Sequence, residues 1–164
     1  MYKSSFLSSF GFIRARSSDA GLYALDWQQQ PFLEDEHEND VSRETIQQIK
    51  LYLNSQLTQF VLPLDLSHHS PAFVKWLSVL NKVPFGQVIT YKAFAEKWGN
   101  IKAARAAGQV CQRNPLPIVI PCHRIVQADG KLGKYSGGDR VNPGADDNIQ
   151  RKRWLINLEA KSIS

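Results

Sequence analysis

Residues 90–112 read TYKAFAEKWGNIKAARAAGQVCQ, a stretch that predicts two short helices joined by a tight turn. Thr90 is a residue type that caps helix N-termini, and Gly99-Asn100 is typical of a helix end. The second helix is expected from about Lys102 to Gln112. After a longer preceding helix, such a pair has the outline of a helix-turn-helix DNA-binding unit.

The second helix of this pair is rich in small residues, which leave its surface almost flat around the long side chain of Arg105. Small side chains allow another backbone to come close. Either a neighbouring helix or a nucleic-acid groove fits this surface, and the composition alone does not choose between them. The small residues are Ala103, Ala104, Ala106, Ala107 and Gly108.

Outward from this stretch, the sequence predicts an α+β protein of two domains, with an N-terminal α/β domain over residues 1–67 and a helical domain over 68–164. Ser70-Pro71 places a capping serine before proline at the first helical position, which predicts the helix that precedes the pair. The elements expected in the first domain are strands at Phe10 to Arg16 and Leu22 to Trp27, an acidic loop at Glu34 to Asp40, a helix from Ser42 to about Phe60 and a strand at Val61 to Leu66.

Composition indicates an ordinary globular protein, since 43% of the 164 residues are hydrophobic and 21% are charged. No stretch approaches the roughly 18 apolar residues of a membrane span. Residues 1–80 carry six basic and nine acidic side chains, whereas residues 81–164 carry fourteen and six. The basic second half suits either a nucleic-acid partner or an ordinary solvated surface. Two cysteines are too few for a disulfide framework, so we expect a reducing compartment.

A reactive cysteine is the main chemical candidate. Leu116 to Ile120 is interpreted as a buried strand that leads into Pro121-Cys122-His123-Arg124. Proline bends the chain, and a neighbouring imidazole or guanidinium stabilises a thiolate. An isolated Cys-His pair is more often an inert buried thiol, so the pair alone favours a structural role.

The run Ile118 to Val126, IVIPCHRIV, resembles the active-site signature of the 6-O-alkylguanine-DNA alkyltransferases, the methylated-DNA-protein-cysteine methyltransferases. The resemblance covers most of residues 70–160 in matching order. Its further motifs are VPFGQVITY at Val83 to Tyr91, Ala104-Arg105-Ala106, Asn114-Pro115, Tyr135-Ser136-Gly137-Gly138 and Trp154 to Glu159.

The resemblance implies direct-reversal DNA repair: one irreversible transfer of an alkyl group from guanine O6, with 4-O-alkylthymine as a further possible substrate, to Cys122, without a cofactor. His123 would activate Cys122 through a water, Glu159 would orient His123, and Tyr91 would give the leaving base a proton. The implied base pocket comprises Asn114, Ile125, Tyr135, Ser136 and Gly137.

The same resemblance implies a ribonuclease H-like first domain and a winged helix-turn-helix-like second domain that acts as a monomer on double-stranded DNA. Arg105 would enter the base stack and replace the flipped nucleotide, from the minor groove. The further DNA-binding residues implied are Ala106, Thr90 and Arg124. We expect no membrane partner and a cytoplasmic location, or a nuclear one in a eukaryote.

The chain departs from the family pattern in the link Asp139 to Arg151, which is longer than usual and forms either a surface excursion or a lid. No cysteine lies in the first half, so we expect no metal. Cys111 is expected to be a packed side chain. Competing functions are a lesion-binding protein of the alkyltransferase-like type, a winged-helix regulator and a cysteine hydrolase; retention of Cys122, His123 and Glu159 argues against the first.

Overall fold

Alternating apolar and polar residues form a three-stranded sheet at the start of the chain. The strands are β1 (Tyr2–Ser8), β2 (Gly11–Ser17) and β3 (Leu22–Gln28), in the order β1-β2-β3 and antiparallel throughout. Ile13 and Ala15 are fully buried, as period-two alternation requires. The strand predictions for β2 and β3 are confirmed, whereas β1 was not predicted. This sheet contains none of the parallel pairing that an α/β label implies.

Helix α1 (Asp40–Leu53) covers this sheet with a face that includes Ile46 and Ile49. Asn39 is its N-cap, because the Asn39 side chain accepts a hydrogen bond from the Ser42 amide and the Ser42 hydroxyl accepts one from the Asn39 amide. The prediction that Ser42 is the cap, and that the helix runs to Phe60, is therefore wrong.

The predicted strand Val61 to Leu66 is also wrong. Only Leu64 makes a bridge there, to Leu22. The structure, a computed structural model, describes residues 1–163 and divides into two compact units, of which the first is Met1–His68. In the described residues no helix has the length and apolar character needed to cross a membrane.

The second unit, which begins at His69, opens with α2 (Pro71–Leu80) and α3 (Tyr91–Trp98). Both predicted caps are confirmed: Ser70 Oγ accepts from the Phe73 amide at 3.2 Å, and Thr90 Oγ1 accepts from the Ala93 amide at 3.1 Å. Gly99 ends α3 with φ +129°, a conformation that favours glycine. A 3₁₀ turn (Ile101–Ala103) then leads into α4 (Ala104–Arg113).

Aromatic packing holds α2 against α3. The Trp76 ring stacks on Trp98 with centroids 4.3 Å apart and meets Phe94 edge-on at 5.2 Å. Such pairs add to the free energy gained by burying the rings. Helix α3 is thereby fixed to the helix before it.

The rest of the second unit is irregular around two short elements and one long helix. β4 (Ile89–Thr90) pairs in parallel with β5 (Ile125–Val126), and α5 (Asp146–Ile163) ends the chain. The predicted buried strand Leu116 to Ile120 is wrong. Those residues are buried but form a turn, with Ile118 at φ +76°.

Candidate active site

Cys122 lies in a single 3₁₀ turn, Cys122–Arg124, between the buried turn and β5. The Cys122 side chain is buried from solvent, since the residue is 2% exposed. The backbone at Cys122 and His123 is helical rather than extended. The turn brings the nucleophile candidate and its neighbours into the core of the unit.

Glu159 is the centre of the polar network beside this turn. Its Oε2 lies 2.7 Å from His123 Nε2, and its two oxygens accept from Nε and Nη2 of Arg124 at 2.9 and 3.0 Å. Oε1 also accepts from the Gly86 amide at 2.9 Å. Burial alone would raise the pKa of Glu159, but the hydrogen bonds and positive charges of His123 and Arg124 outweigh it and hold the pKa well below its usual range. Glu159 is therefore a fixed anion.

His123 is fully buried. Burial lowers its pKa, Glu159 opposes this, and the charges of Arg124 and Lys152 add to the lowering. The ring is neutral at pH 7. A carboxylate only accepts hydrogen bonds, so Nε2 carries the hydrogen and Nδ1 is the basic nitrogen.

Several groups act on the Cys122 thiol. Burial raises its pKa, while a hydrogen bond with the Asn114 side chain, the charges of Lys152 and Arg140, and a hydrogen bond with Ser136 work in the opposite direction. The net direction is upward. At neutral pH Cys122 is thus a thiol that needs a base, in surroundings that partly stabilise the thiolate.

Asn114 holds the turn that precedes the cysteine. Its side-chain nitrogen donates to the Ile120 carbonyl at 2.8 Å, and its Oδ1 accepts from the Leu116 amide at 3.0 Å. Ser136 links the cysteine region to α4, because its hydroxyl donates to the Cys111 carbonyl at 2.8 Å. Both side chains are buried, as is Cys111, which agrees with the expected packing role for that residue.

Tyr91 is the first residue of α3. Burial, followed by the negative charges of the Cys111 and Cys122 thiolates, raises the pKa of Tyr91 well above its usual range, so its hydroxyl keeps its proton. Gly133 lies against it: a Cβ at Gly133 would sit 3.3 Å from the Tyr91 hydroxyl, and φ there is +74°. Glycine is therefore needed beside this phenol.

Tyr135 and Gly137 form a closely packed loop next to the cysteine. Tyr135 is 2% exposed, and a Cβ at Gly137 would overlap its ring at 2.2 Å. Ile125 is fully buried, and its amide donates to the Cys122 carbonyl. The structure thus brings together most of the residues predicted for catalysis and the base pocket.

The residues predicted to bind DNA fall into two groups. Arg105 is exposed at the start of α4, while Ala106 and Thr90 are half-buried. One turn further along α4, Gly108 faces open space, with no atom within 4 Å of a Cβ placed there. The opposite face of α4 packs inward through Ala107 and Val110. The exposed face is therefore flat around Arg105.

Arg124, the remaining residue predicted to bind DNA, is buried and does not lie on an exposed face. It is 6% exposed, pairs with Glu159, and donates to the Val83 carbonyl at 2.6 Å. A guanidinium committed to buried partners is not available to phosphates. The assignment of Arg124 to DNA binding is corrected to a structural role: it holds Glu159 in place.

Lys152 was missed by the sequence reasoning. It is fully buried in α5, donates to the carbonyls of Leu132 and Lys134, and lies 5.8 Å from the centre of the Tyr91 ring. Burial lowers its pKa to about 8, against the opposing charges of Cys122 and Cys111. The missed signal was its place one turn after Asn148 and two turns before Glu159, on one buried stripe of α5.

Curated relatives are similar to this chain in sequence. Each is a "Methylated-DNA--protein-cysteine methyltransferase". The Mycobacterium leprae protein is 34% identical over 126 residues, 77% of this chain and 70% of its own length. The rat protein is 41% identical over 116 residues and the mouse protein 47% over 103, alignments that cover 66% and 58% of this chain. This chain spans about half the length of the two rodent proteins, 50% and 44%.

Solved structures agree over nearly the whole chain. A crystal structure of Mycobacterium tuberculosis OGT in complex with DNA has a TM-score of 0.81 and 27% identity, covering 99% of this chain and 94% of that one. The M. tuberculosis O6-methylguanine methyltransferase gives 0.77 at 27% identity, over 98% and 93%.

Family models account for both units. The description "6-O-methylguanine DNA methyltransferase, ribonuclease-like domain" matches residues 1–66. The DNA binding domain of the same description matches residues 72–161, which confirms the predicted family and a two-domain α+β protein. The chain belongs to the 6-O-methylguanine DNA methyltransferase family, whose members repair DNA by alkyl transfer to a cysteine.

Proposed function

We propose that this protein repairs alkylated DNA by moving the alkyl group from guanine O6 to Sγ of Cys122, once per molecule. The observation that carries the proposal is the buried contact between His123 and Glu159, immediately after the buried cysteine. This arrangement supplies a base with a fixed anion behind it. A cysteine that only fills space in the core would not require a neighbouring base or a buried carboxylate.

The thiol is activated first. Nδ1 of His123 takes the Cys122 proton, through one water, and Glu159 stabilises the imidazolium that forms. The sulfur then attacks the alkyl carbon in line with the leaving oxygen; the S–C bond forms as the C–O bond breaks. The product is a thioether that water does not cleave, so turnover stops after one transfer.

The electron pair of the broken C–O bond stays on the guanine, which needs a proton. Tyr91 donates it from its hydroxyl, since the raised pKa keeps that hydroxyl protonated until the base becomes strongly basic. The buried ammonium of Lys152, close to the Tyr91 ring, favours the phenolate that results. No cofactor or metal takes part in these steps.

The extrahelical base is held beside Cys122. The carbonyls of Cys122 and Ile125 accept hydrogen bonds from the exocyclic amine, and the Ser136 amide donates to the base. Asn114 braces the turn, while Tyr135 and Gly137 form the wall of the pocket. Fixed groups of this kind recognise guanine by its edge and restrict the position of the alkyl carbon.

DNA binds to the exposed face of α4 as the second helix of a winged helix-turn-helix. The flat face around Gly108 enters the minor groove, with Ala106 and Thr90 beside it, and Arg105 fills the space of the flipped nucleotide. The first unit has a ribonuclease H-like fold and a structural role. The protein acts as a monomer, in the cytoplasm or, in a eukaryote, the nucleus.

The test is intact-protein mass spectrometry with peptide mapping after incubation with a duplex that holds one 6-O-methylguanine. One methyl on Cys122, saturating at one per protein and absent with unmodified duplex, is expected. Tight binding to the lesion without an adduct would instead show a lesion-binding protein. The absence of both an adduct and a preference for the lesion would contradict the repair function.

A further inference from the structure

The link between the Tyr135–Gly138 loop and α5 has a fixed conformation. Asn148, buried in the first turn of α5, accepts from the Asp139 amide at 2.8 Å and donates to the carbonyls of Asp139 and Asn142 at 2.7 and 3.2 Å. The Asp139 carboxylate accepts from the amides of Val141 and Asn142, each at 3.0 Å. Residues 139–145 are therefore anchored to the helix by hydrogen bonds, although several of their side chains are exposed.

The same segment holds two residues of the proposed base pocket. Arg140 donates from its guanidinium to the Asn114 carbonyl at 2.9 Å, and the Pro143 carbonyl accepts from the Tyr135 amide at 3.0 Å. Asn114 in turn holds the turn before Cys122, because its side chain donates to the Ile120 carbonyl at 2.8 Å. The long link thus contacts the acceptor site through one intermediate residue.

The residues around the acceptor cysteine are closely packed next to this segment. Cys122, Tyr135 and Ser136 are each at most 2% exposed. A Cβ at Gly138 would overlap the Asn148 side-chain oxygen at 2.2 Å. An alkyl group larger than methyl therefore needs space that only displacement of the loop and its anchored segment provides.

We propose that residues 139–145, through Arg140 on Asn114 and Pro143 on Tyr135, form a specificity-determining outer wall that admits methyl-sized groups to Cys122 and excludes benzyl-sized ones. This inference rests on the proposed function, because it concerns the alkyl group transferred at that site. The sequence predicted either a surface excursion or a lid for this link; the proposed wall differs from both, because it is fixed and borders the acceptor site.

The experiment compares transfer from 6-O-methylguanine and from 6-O-benzylguanine, each in the same duplex, by single-turnover kinetics. Arg140→Gln removes the bond to Asn114, and Asn148→Ala releases the whole segment. Val141→Ala is the matched control, since Val141 belongs to the segment and is 97% exposed. Loss of one hydrogen bond from a charged group should raise the benzyl-to-methyl rate ratio about tenfold in Arg140→Gln, and at least as much in Asn148→Ala. The control should keep the wild-type ratio.

An unchanged ratio in Arg140→Gln, with wild-type transfer intact, would overturn the wall while leaving the repair function standing. Arg140 is exposed, so this variant is informative even if Asn148→Ala does not fold. If the wild type transfers neither group, the repair function fails and the wall is tested directly. Cys122 is then alkylated with iodoacetamide and with benzyl bromide, in which sulfur displaces halide and the thiol proton goes to solvent, and the adducts are mapped. The same shift in ratio is expected; no shift rejects the wall.

Discussion

The carboxylate of Glu159 lies 2.7 Å from Nε2 of His123 with both side chains at most 2% exposed. The same carboxylate holds Arg124, so one anion orients a neutral base and satisfies a buried cation. Because neither contact is reached by solvent, their geometry is set by the protein alone. The nucleophile, Cys122, directly precedes His123 in the chain.

Glu159→Gln should affect both repair and stability. The change keeps the shape but removes the charge that balances Arg124 and the imidazolium. We expect the free energy of unfolding to fall by about 3–5 kcal/mol and the transfer rate by about 100-fold. Urea titration and single-turnover kinetics measure the two effects. Glu96→Gln, at an exposed site of α3, is the control, and a Glu159 variant that matched it would remove the basis of the proposed mechanism.

Transfer should be lost in acid only below the ordinary histidine range. His123 acts when neutral, and its lowered pKa keeps it neutral below 6.5. Unfolded chains take up that proton near 6.5, so folding stability also declines as the pH falls below this value. A pH profile of the transfer rate checks this. An inflection above 6.5 would show that another group limits the reaction.

Lys152→Met should change the pH dependence of stability. In the folded protein the Lys152 pKa is about 8, against an ordinary 10.5. The cost of burying the ammonium is therefore present below pH 8 and is relieved as the pH rises to 10.5. Wild type should gain stability relative to Lys152→Met over that interval, measured by urea midpoints. Arg153→Met, exposed on the same helix, should follow the wild type; parallel curves for Lys152→Met would contradict the burial effect.

Lys152→Met should also lower the rate at which the Cys122 thiol is alkylated. Without the ammonium, the Cys122 pKa rises further, so iodoacetamide should label Cys122 more slowly at pH 7.5 than in wild type. Peptide mapping separates this label from Cys111. Equal labelling rates would show that Lys152 does not act on the nucleophile.

Gly108 allows DNA binding to be separated from folding. Alanine meets no atom there, so Gly108→Ala should raise the free energy of unfolding by about 0.5–1 kcal/mol. Gly108→Leu adds bulk to the face that enters the groove and should weaken duplex binding about tenfold, or 1.4 kcal/mol. Fluorescence anisotropy measures the binding. Undiminished binding by the leucine variant would place the DNA elsewhere.

Arg105→Ala should reduce repair of duplex DNA more than reaction with the free base. The exposed side chain contributes little to stability, within about 0.5 kcal/mol, but offsets the cost of removing a base from the stack. Arg43→Ala removes an exposed charge from the first unit and should repair at the wild-type rate. Equal losses on duplex and on free base would contradict the intercalating role.

Local chemistry made part of this structure predictable. Ser70 and Thr90 cap their helices as expected because a short hydroxyl before an apolar face satisfies the first amides. Leu116 to Ile120 was misassigned because an apolar run reports burial and not conformation; the side chain of Asn114 folds it into a turn.

The site residues differ in the same way. Cys122, His123 and Glu159 were recognisable from a shared sequence pattern, whereas the burial of Arg124 and Lys152 depends on partners far away in the chain. Val83 and Gly86 complete the network through backbone atoms, since the Val83 carbonyl accepts from Arg124 and the Gly86 amide donates to Glu159. No side-chain pattern reveals such contacts.

Helix α5 carries Asn148, Lys152 and Glu159 on a single stripe at intervals of four and seven residues. One residue added or lost between Asn148 and Glu159 would rotate one end of the stripe by about 100° relative to the other. The segment anchor, the buried ammonium and the carboxylate would then no longer face the core together. Insertions and deletions between Asn148 and Glu159 should therefore abolish the active site, whereas substitutions on the exposed face of the same helix should be tolerated.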